Sequence, residues 1–394
     1  LIRPLLANPY RRLLVPVYVP SFLMAVSQDA LLVLLPLYIL ESGLGPAFAA
    51  FVIGLRGIGV LIFDIPAGKL VTRFGERTAL LIGLVAASAG FLLLTVSASV
   101  GAICAAAILF GIGFASWMLG RQSYIAATCA PGETGRAIAV MAGIQRGGAF
   151  VGPLLGGLIA RFSGYGTAFV ICGVLAMCAG VVVYYFAEHV ISETHITPHE
   201  RSTATVIREH WRVFATAGVA AMTLQLMRAT RQLLVPLFGR AVGLDVGLIG
   251  AIYSASAAID MCLFYPVGVL VDRRGRRWSA IPAMVLFALG LALLPLARDP
   301  LTLTAIALLL GFANGCGTGI NMIMGADLSR QTSNRSGFLS VWRLMGDTGM
   351  SSAPLLTSLI INAAGLAAAS VVVASLGFVG AAVMICLVAE THRP

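Results

Sequence analysis

Eight ionisable residues interrupt the long apolar runs of this chain: Asp29, Arg56, Arg146, Arg228, Arg231, Asp260, Arg343 and Asp347, with Asp64 near the end of a run. A charge set in hydrocarbon is expensive, so such residues pair with one another, line a polar cavity, or do chemical work. A carboxylate there can take up and release protons or hold a cation. A guanidinium can hold an anionic group or serve as the carboxylate's counter-ion. Counting along a helix at ~1.5 Å per residue puts Asp29, Arg228 and Arg231 near the middle of their runs. Asp29 is therefore the expected proton or cation site, and Arg228 and Arg231 its counter-ions or an anion holder. Asp260 and Asp347 are the other candidate proton carriers. Gln28, Gln145, Gln225, Gln232, Asn314 and Asn321, with Trp117, Tyr253 and Trp342, could line an amphipathic cavity, although each suits an interhelical contact equally well.

The elements that must position these groups follow from composition. The chain is 59% hydrophobic and 11% charged, more apolar surface than a water-soluble core of this length can bury. Spanning a bilayer takes ~20 apolar residues per helix. Twelve such runs are read at 14–40, 47–68, 78–97, 100–127, 137–160, 165–188, 211–238, 246–270, 279–297, 301–327, 337–361 and 366–389. They are too long, and too uniformly apolar, for barrel strands. The net charge of +10 is mostly topological. Outside loops carry only Arg161, Arg240 and Arg298. The opposite side carries Arg73, Arg77, Arg136, Arg273, Arg274, Arg276, Arg277, Arg330 and others. The positive-inside rule then puts both termini in the cytoplasm. A nucleic-acid partner is not expected.

The polar stretch 189–210 reads as a cytoplasmic linker between halves 1–188 and 211–394. His195 and His199 stand there at a metal-ligand spacing with no third ligand, so no metal or other cofactor is expected. The seven cysteines fall in or beside apolar runs and read as small packed hydrophobes. The first ten residues do not read as a signal peptide. No nucleophile–base set or nucleotide loop argues for an enzyme.

One segment occurs twice. Residues 68–77 align with 268–277 through Gly68 and Gly268, Leu70 and Leu270, Arg73 and Arg273, Gly75 and Gly275, and Arg77 and Arg277. The register continues upstream through Pro66 and Pro266, Gly43 and Gly243, and Pro36 and Pro236. Two homologous membrane halves in parallel orientation are the expectation. A second pattern, Gly148, Gly152, Pro153, Gly156 and Gly157, lets helices approach closely, and its proline can bend the fifth run. Gly349, Ala353 and Pro354 echo it in the eleventh.

The paired segments resemble the loop signature of the major facilitator superfamily, and the glycine stripe resembles the antiporter motif of its drug:proton antiporter group. The resemblance covers the whole chain and implies an all-helical membrane protein of two six-helix bundles. It also implies conformational roles for Gly68, Arg73, Gly268, Asp272, Arg273 and Arg276, with Asp272 in a charge network that locks one state. The first copy departs at Thr72 and Glu76. The arginine that the group often places in the fourth span is Ala107 here, and Arg121, further along, is expected to snorkel. In the family fold the fifth span lies near the eighth and the eleventh near the second. Arg146 would then approach Asp260, and Asp347 would approach Arg56.

Together these readings give a monomeric, multi-pass transporter of the plasma or inner membrane. It would exchange a lipophilic or amphipathic small molecule for protons by alternating access. The alternatives are an organic-anion symporter or facilitator, a lysolipid transporter and, more remotely, a non-transporting membrane sensor.

Overall fold

The computed structural model describes residues 13–129, 133–188, 203–330, 332 and 334–390. Both termini and most of the linker, with His189, His195 and His199, lie outside the described residues. Helices stand where the apolar runs are. A π-helical turn, Leu14–Tyr18, leads into α1 (Val19–Glu41). Then come α2 (Pro46–Phe74), α3 (Glu76–Val96), α4 (Val100–Thr128) and α5 (Thr134–Phe186). A short α6 (Thr203–Glu209) and a second π-helical turn, Phe214–Gly218, precede α7 (Val219–Ala241). The chain continues with α8 (Val246–Arg274), α9 (Arg277–Leu293), α10 (Pro300–Cys316), α11 (Ile320–Ser329) and α12 (Arg335–Leu387).

Nine helices among the described residues are long and apolar enough to cross a membrane. Two of them, α5 and α12, run for 53 residues each and are pairs: Gly164 (φ 83°) and Gly365 (φ 87°) leave helical geometry inside them. α7 is excluded only by its polar middle, Gln225, Arg228, Arg231 and Gln232. With the pairs divided and α7 included, the expected twelve spans are present.

The repeat is visible in the backbone. The π-helical turns, α1 and α7, and α2 and α8 correspond at the register seen in the sequence. Positive-φ glycines recur in pairs at Gly43 and Gly243, Gly75 and Gly275, and Gly164 and Gly365. After α1, Leu44 N–H donates to the Ile39 carbonyl at 3.2 Å. After α7, Leu244 N–H donates to that of Gly239 at 3.0 Å. This helix-ending turn needs the left-handed residue that only glycine supplies without strain.

Two compact units emerge. The first contains the described residues within 1–44, 51–195 and 245–254; the second contains those within 45–50, 196–244 and 255–394. In unit 1, an aromatic group ties α1, α3, α4 and α5 together. Phe91 meets Phe110 at 4.7 Å between centroids, and Tyr38 meets Phe169 edge-on at 5.2 Å. Each such pair contributes ~0.5–1.5 kcal/mol beyond area burial. In unit 2, α12 packs along α7 as α5 packs along α1.

One asymmetry stands out. α4 runs unbroken from Val100 to Thr128, but its counterpart stops at Cys316 and restarts at Ile320, with Gly319 left-handed at φ 71°.

Candidate functional site

The glycine stripe of α5 lies against α1 on either side of Asp29. A Cβ on Gly148 would stand 3.1 Å from the Ala25 Cα. One on Gly152 would meet the Ala30 nitrogen at 2.9 Å, and one on Gly156 the Ala30 Cβ at 2.9 Å. Gly157 turns to α8, where its Cβ would sit 2.8 Å from the Val246 carbonyl and 3.2 Å from the Gly250 Cα. The stripe therefore seats the helix that carries Asp29, through backbone contact that no larger residue permits. Asp29 and Gln28 are partly exposed, and no hydrogen bond joins Asp29 to another of the described residues. The charge near enough to act on it is Arg56 of α2, whose guanidinium also lies over the Phe114 ring at 5.4 Å. Gln145 and Arg146 are partly exposed on α5, and Arg146 Nη1 donates to its own helix at the Ala142 carbonyl, 3.2 Å.

Within unit 1, Arg56 is the charge that acts on Asp29. Asp347 is held within its own helix by Arg343, one turn earlier, at 3.4 Å.

In unit 2 the polar groups gather at the break between α10 and α11. Arg228 Nη2 donates to the Gly317 carbonyl at 2.6 Å, and its Nη1 to Gln225 Oε1 at 2.8 Å. Thr318 Oγ1 donates to Asp260 Oδ1 at 3.2 Å, and Ser279 Oγ donates to the Cys316 carbonyl. The carbonyls released by the break are thus satisfied by spans seven and nine, as a backbone interrupted at membrane depth requires. Arg228 stands at the C-terminal, negative end of α10, where a cation is favourable. A Cβ on Gly346 would lie 3.0 Å from Asn321 Nδ2 and 3.8 Å from Gln225 Cγ, so Asn321 belongs to the same cluster.

Two expected cavity residues are instead built into the packing. Arg231 is 6% exposed, and its Nη2 donates to Ser256 Oγ at 2.8 Å. Trp342 is buried, stacked on Phe338, and donates from Nε1 to the Asn321 carbonyl at 2.9 Å. Asn314, partly exposed, lends its carbonyl to Thr318. Thr318, Ser279 and the break itself were missed from sequence. The alternating glycines Gly315, Gly317 and Gly319 were the available signal.

Residues 18–238 and 217–394 each match the Major Facilitator Superfamily. The chain belongs to that superfamily. It is a multi-pass membrane transporter and not an enzyme. Among its relatives, the multidrug resistance protein MdtH of Aeromonas hydrophila is 24% identical over 304 residues, covering 72% of this chain and 73% of that one. The tetracenomycin C resistance and export protein of Streptomyces glaucescens is 31% identical over 122 residues, 30% of this chain and 23% of that one. A crystal structure of a POT family transporter in complex with a thioalcohol-conjugated peptide shares the fold. Its TM-score is 0.77 at 11% identity, over 93% of this chain and 94% of that one.

The superfamily's loop signature takes an unexpected form in the second copy. Asp272 and Arg273 are exposed, and among the described residues Asp272 takes no partner. The ion pair there is Arg276 Nε to Asp327 Oδ2, 2.6 Å and mostly buried. Glu390, beyond α12, accepts from the backbone N–H of Arg276 at 2.9 Å and of Arg277 at 3.0 Å. A carboxylate is thus placed at the positive start of α9. In the first copy Glu76 replaces Arg276. Its carboxylate is fully buried and accepts from Ser123 Oγ at 3.0 Å. Arg73 is exposed and lies over Phe74. At Gly68 and Gly268 a Cβ would have room. The tight turns belong to Gly75 and Gly275.

Proposed function

We propose that the protein is a proton-coupled antiporter that exports a lipophilic or amphipathic small molecule by alternating access, with Asp29 as the coupling carboxylate. The observation that carries this reading is the setting of Asp29. It is a partly exposed acid in the middle of a membrane helix, free of hydrogen bonds to the described residues and acted on by Arg56. The antiporter-type glycines seat its helix. Such a group can exchange a proton for a substrate because neither competes with a built-in partner. Coupling then requires only that the inward-open and outward-open states differ in their affinity for each. Asp260 and Asp347 are the secondary proton carriers in this scheme, and Arg146 forms a transient partner for Asp260 during the cycle. Gln28, Gln145, Gln225, Arg228 and Asn314 contribute polar contacts to substrate. The working bodies are halves 1–188 and 211–394, joined by the cytoplasmic linker 189–210, in a monomer with both termini in the cytoplasm. The names of the relatives, a multidrug resistance protein and a resistance and export protein, support a lipophilic cargo and the outward direction.

The test is transport in proteoliposomes under an imposed pH gradient, with Asp29→Asn alongside. Movement of a lipophilic cation opposite to the protons, lost in the variant, is the expected result. Gradient-independent movement that is indifferent to Asp29→Asn would refute proton antiport through this residue. A second reading, transport of an organic anion or lysolipid, is favoured by one observation: Arg228, partly exposed beside Gln225 and Asn321. It predicts that Arg228→Gln abolishes movement of such an anion while Asp29→Asn leaves it intact.

A further inference from the structure

Arg121 does not snorkel. It sits on α4, two turns before the cytoplasmic end at Thr128, and is only 4% exposed. Among the described residues its one hydrogen bond runs from Nη2 to the thioether of Met118 at 3.0 Å, and its buried Nε has no partner. A thioether is a weak acceptor. Among the described residues no carboxylate pairs with Arg121. Among the described residues the other deeply buried arginine, Arg231, is served by the oxygen of Ser256, and the mostly buried Arg276 by that of Asp327. Trp117 lies one turn before Arg121 on the same helix face, and Tyr124 and Ile125 one turn after. All three are buried in a cluster that also contains Tyr18, Met24 and Met141.

A guanidinium buried without an ion pair is strongly unfavourable, and the buried carboxylate against the same stretch of α4, Glu76, is bonded to Ser123 and makes no ion pair with Arg121. We infer that Arg121 and the aromatic, methionine-bearing cluster around it form a binding site for an oxyanion carried on an apolar body. The carboxylate or phosphate would take the guanidinium, and the body would take the place of packing around Trp117 and Tyr124. The oxyanion could belong to a transported amphipath or to a lipid headgroup. The inference rests on the transport reading only for the opening of the cytoplasmic end that admits the ligand. The carboxylates outside the described residues are Glu193 and Glu200, both in the linker.

The test uses the full chain in neutral detergent, titrated with dansyl-undecanoate, its methyl ester and lysophosphatidylglycerol. Binding is read by energy transfer from tryptophan and by thermal shift. The carboxylate and the lysolipid should bind and raise the melting temperature, and the ester should do neither. Arg121→Met should weaken both anions by about ten- to a hundredfold, as expected for hydrogen bonds to a charged group, and leave the ester unchanged. Arg121→Lys, which keeps the charge if the methionine variant does not fold, should retain part of the affinity and favour anion over ester. Tighter binding of the undecanoate identifies a substrate carboxylate; tighter binding of the lysolipid identifies a headgroup. Equal affinity of ester and anions in the wild type would overturn the site, as would anion affinity unaltered in Arg121→Met. So would destabilisation by Glu76→Gln, Glu193→Gln or Glu200→Gln equal to that of Arg121→Met, since the counter-charge would then be internal. No proton gradient is involved, so failure here leaves the antiport reading standing, and the reverse also holds.

Discussion

Gly152 of α5 and Ala30 of α1 meet backbone to backbone: a Cβ at position 152 would stand 2.9 Å from the Ala30 nitrogen. Ala30 follows Asp29 directly, so the register of the glycine stripe fixes the depth and direction of the acid. Close helix contact of this kind is what small residues supply in a bilayer, where hydrophobicity drives no association between helices.

Gly152→Ala should therefore displace α1 and depress gradient-driven transport by more than Gly156→Ala, whose neighbours are the Ala30 methyl and the flexible tip of Leu34. Overpacking of this type costs ~1–3 kcal/mol. Melting temperatures in detergent, measured beside transport rates, check the ranking. Equal effects at both positions would remove the argument that the Gly152 contact positions Asp29.

Arg56 acts on Asp29 by charge without bonding to it. Arg56→Lys should keep coupled transport within a few-fold, whereas Arg56→Gln should lower it by about tenfold, equivalent to ~1.4 kcal/mol in the barrier. Proton flux per substrate moved, in the two variants side by side, distinguishes a charge effect from a packing effect. A lysine variant as poor as the glutamine one would point to packing over Phe114.

The break between α10 and α11 is closed by side chains. Arg228→Ala leaves the Gly317 carbonyl without its strongest donor, and Ser279→Ala does the same for Cys316. Each should destabilise by ~1–3 kcal/mol. Arg228→Lys should fall between, because a lysine cannot bridge Gly317 and Gln225 with one planar fork. Hydrogen exchange at residues 317–322 should rise in all three. Unchanged exchange would mean that the break holds itself.

Arg276 and Asp327 form a mostly buried ion pair, so removing Asp327 strands the Arg276 charge, and removing Arg276 leaves Asp327 only the long contact to Arg330 at 3.9 Å. Single alanine substitutions should each cost ~3–5 kcal/mol, with the double variant less damaged than the two together. A double-mutant cycle on thermal stability measures this. Strict additivity would show that the pair is not coupled.

Asp299 caps α10. Its carboxyl is held below the usual 3.8, first by the backbone N–H of Thr302 and then by the Thr302 hydroxyl. Because the folded value is depressed, the contribution to stability is present above the ordinary value and is lost as pH falls through the folded one. Asp299→Ala should lower the melting temperature at pH 7, and the gap should close as pH falls through the folded value of the carboxyl. A gap that persists in acid would assign the effect to something other than the charge.

Sequence alone determined the solvent, the number of spans and the duplication. Each is encoded locally, in runs of apolar residues and in glycines at matched positions such as Gly43 and Gly243. It also singled out Asp29 and the stripe from Gly148 to Gly157. The tertiary structure decided which charges face which: Arg56 toward Asp29, Arg343 toward Asp347, Arg228 into a helix break, and Arg231 into the wall. Pairing depends on helix rotation and depth, and these are set by contacts between segments far apart in the chain. A hydrophobic pattern constrains them weakly when every face of a membrane helix is apolar. For the same reason the burial of Arg121 was not legible. A position near a span's end permits snorkelling, and only the packing of Trp117 and Tyr124 on either side closes that route.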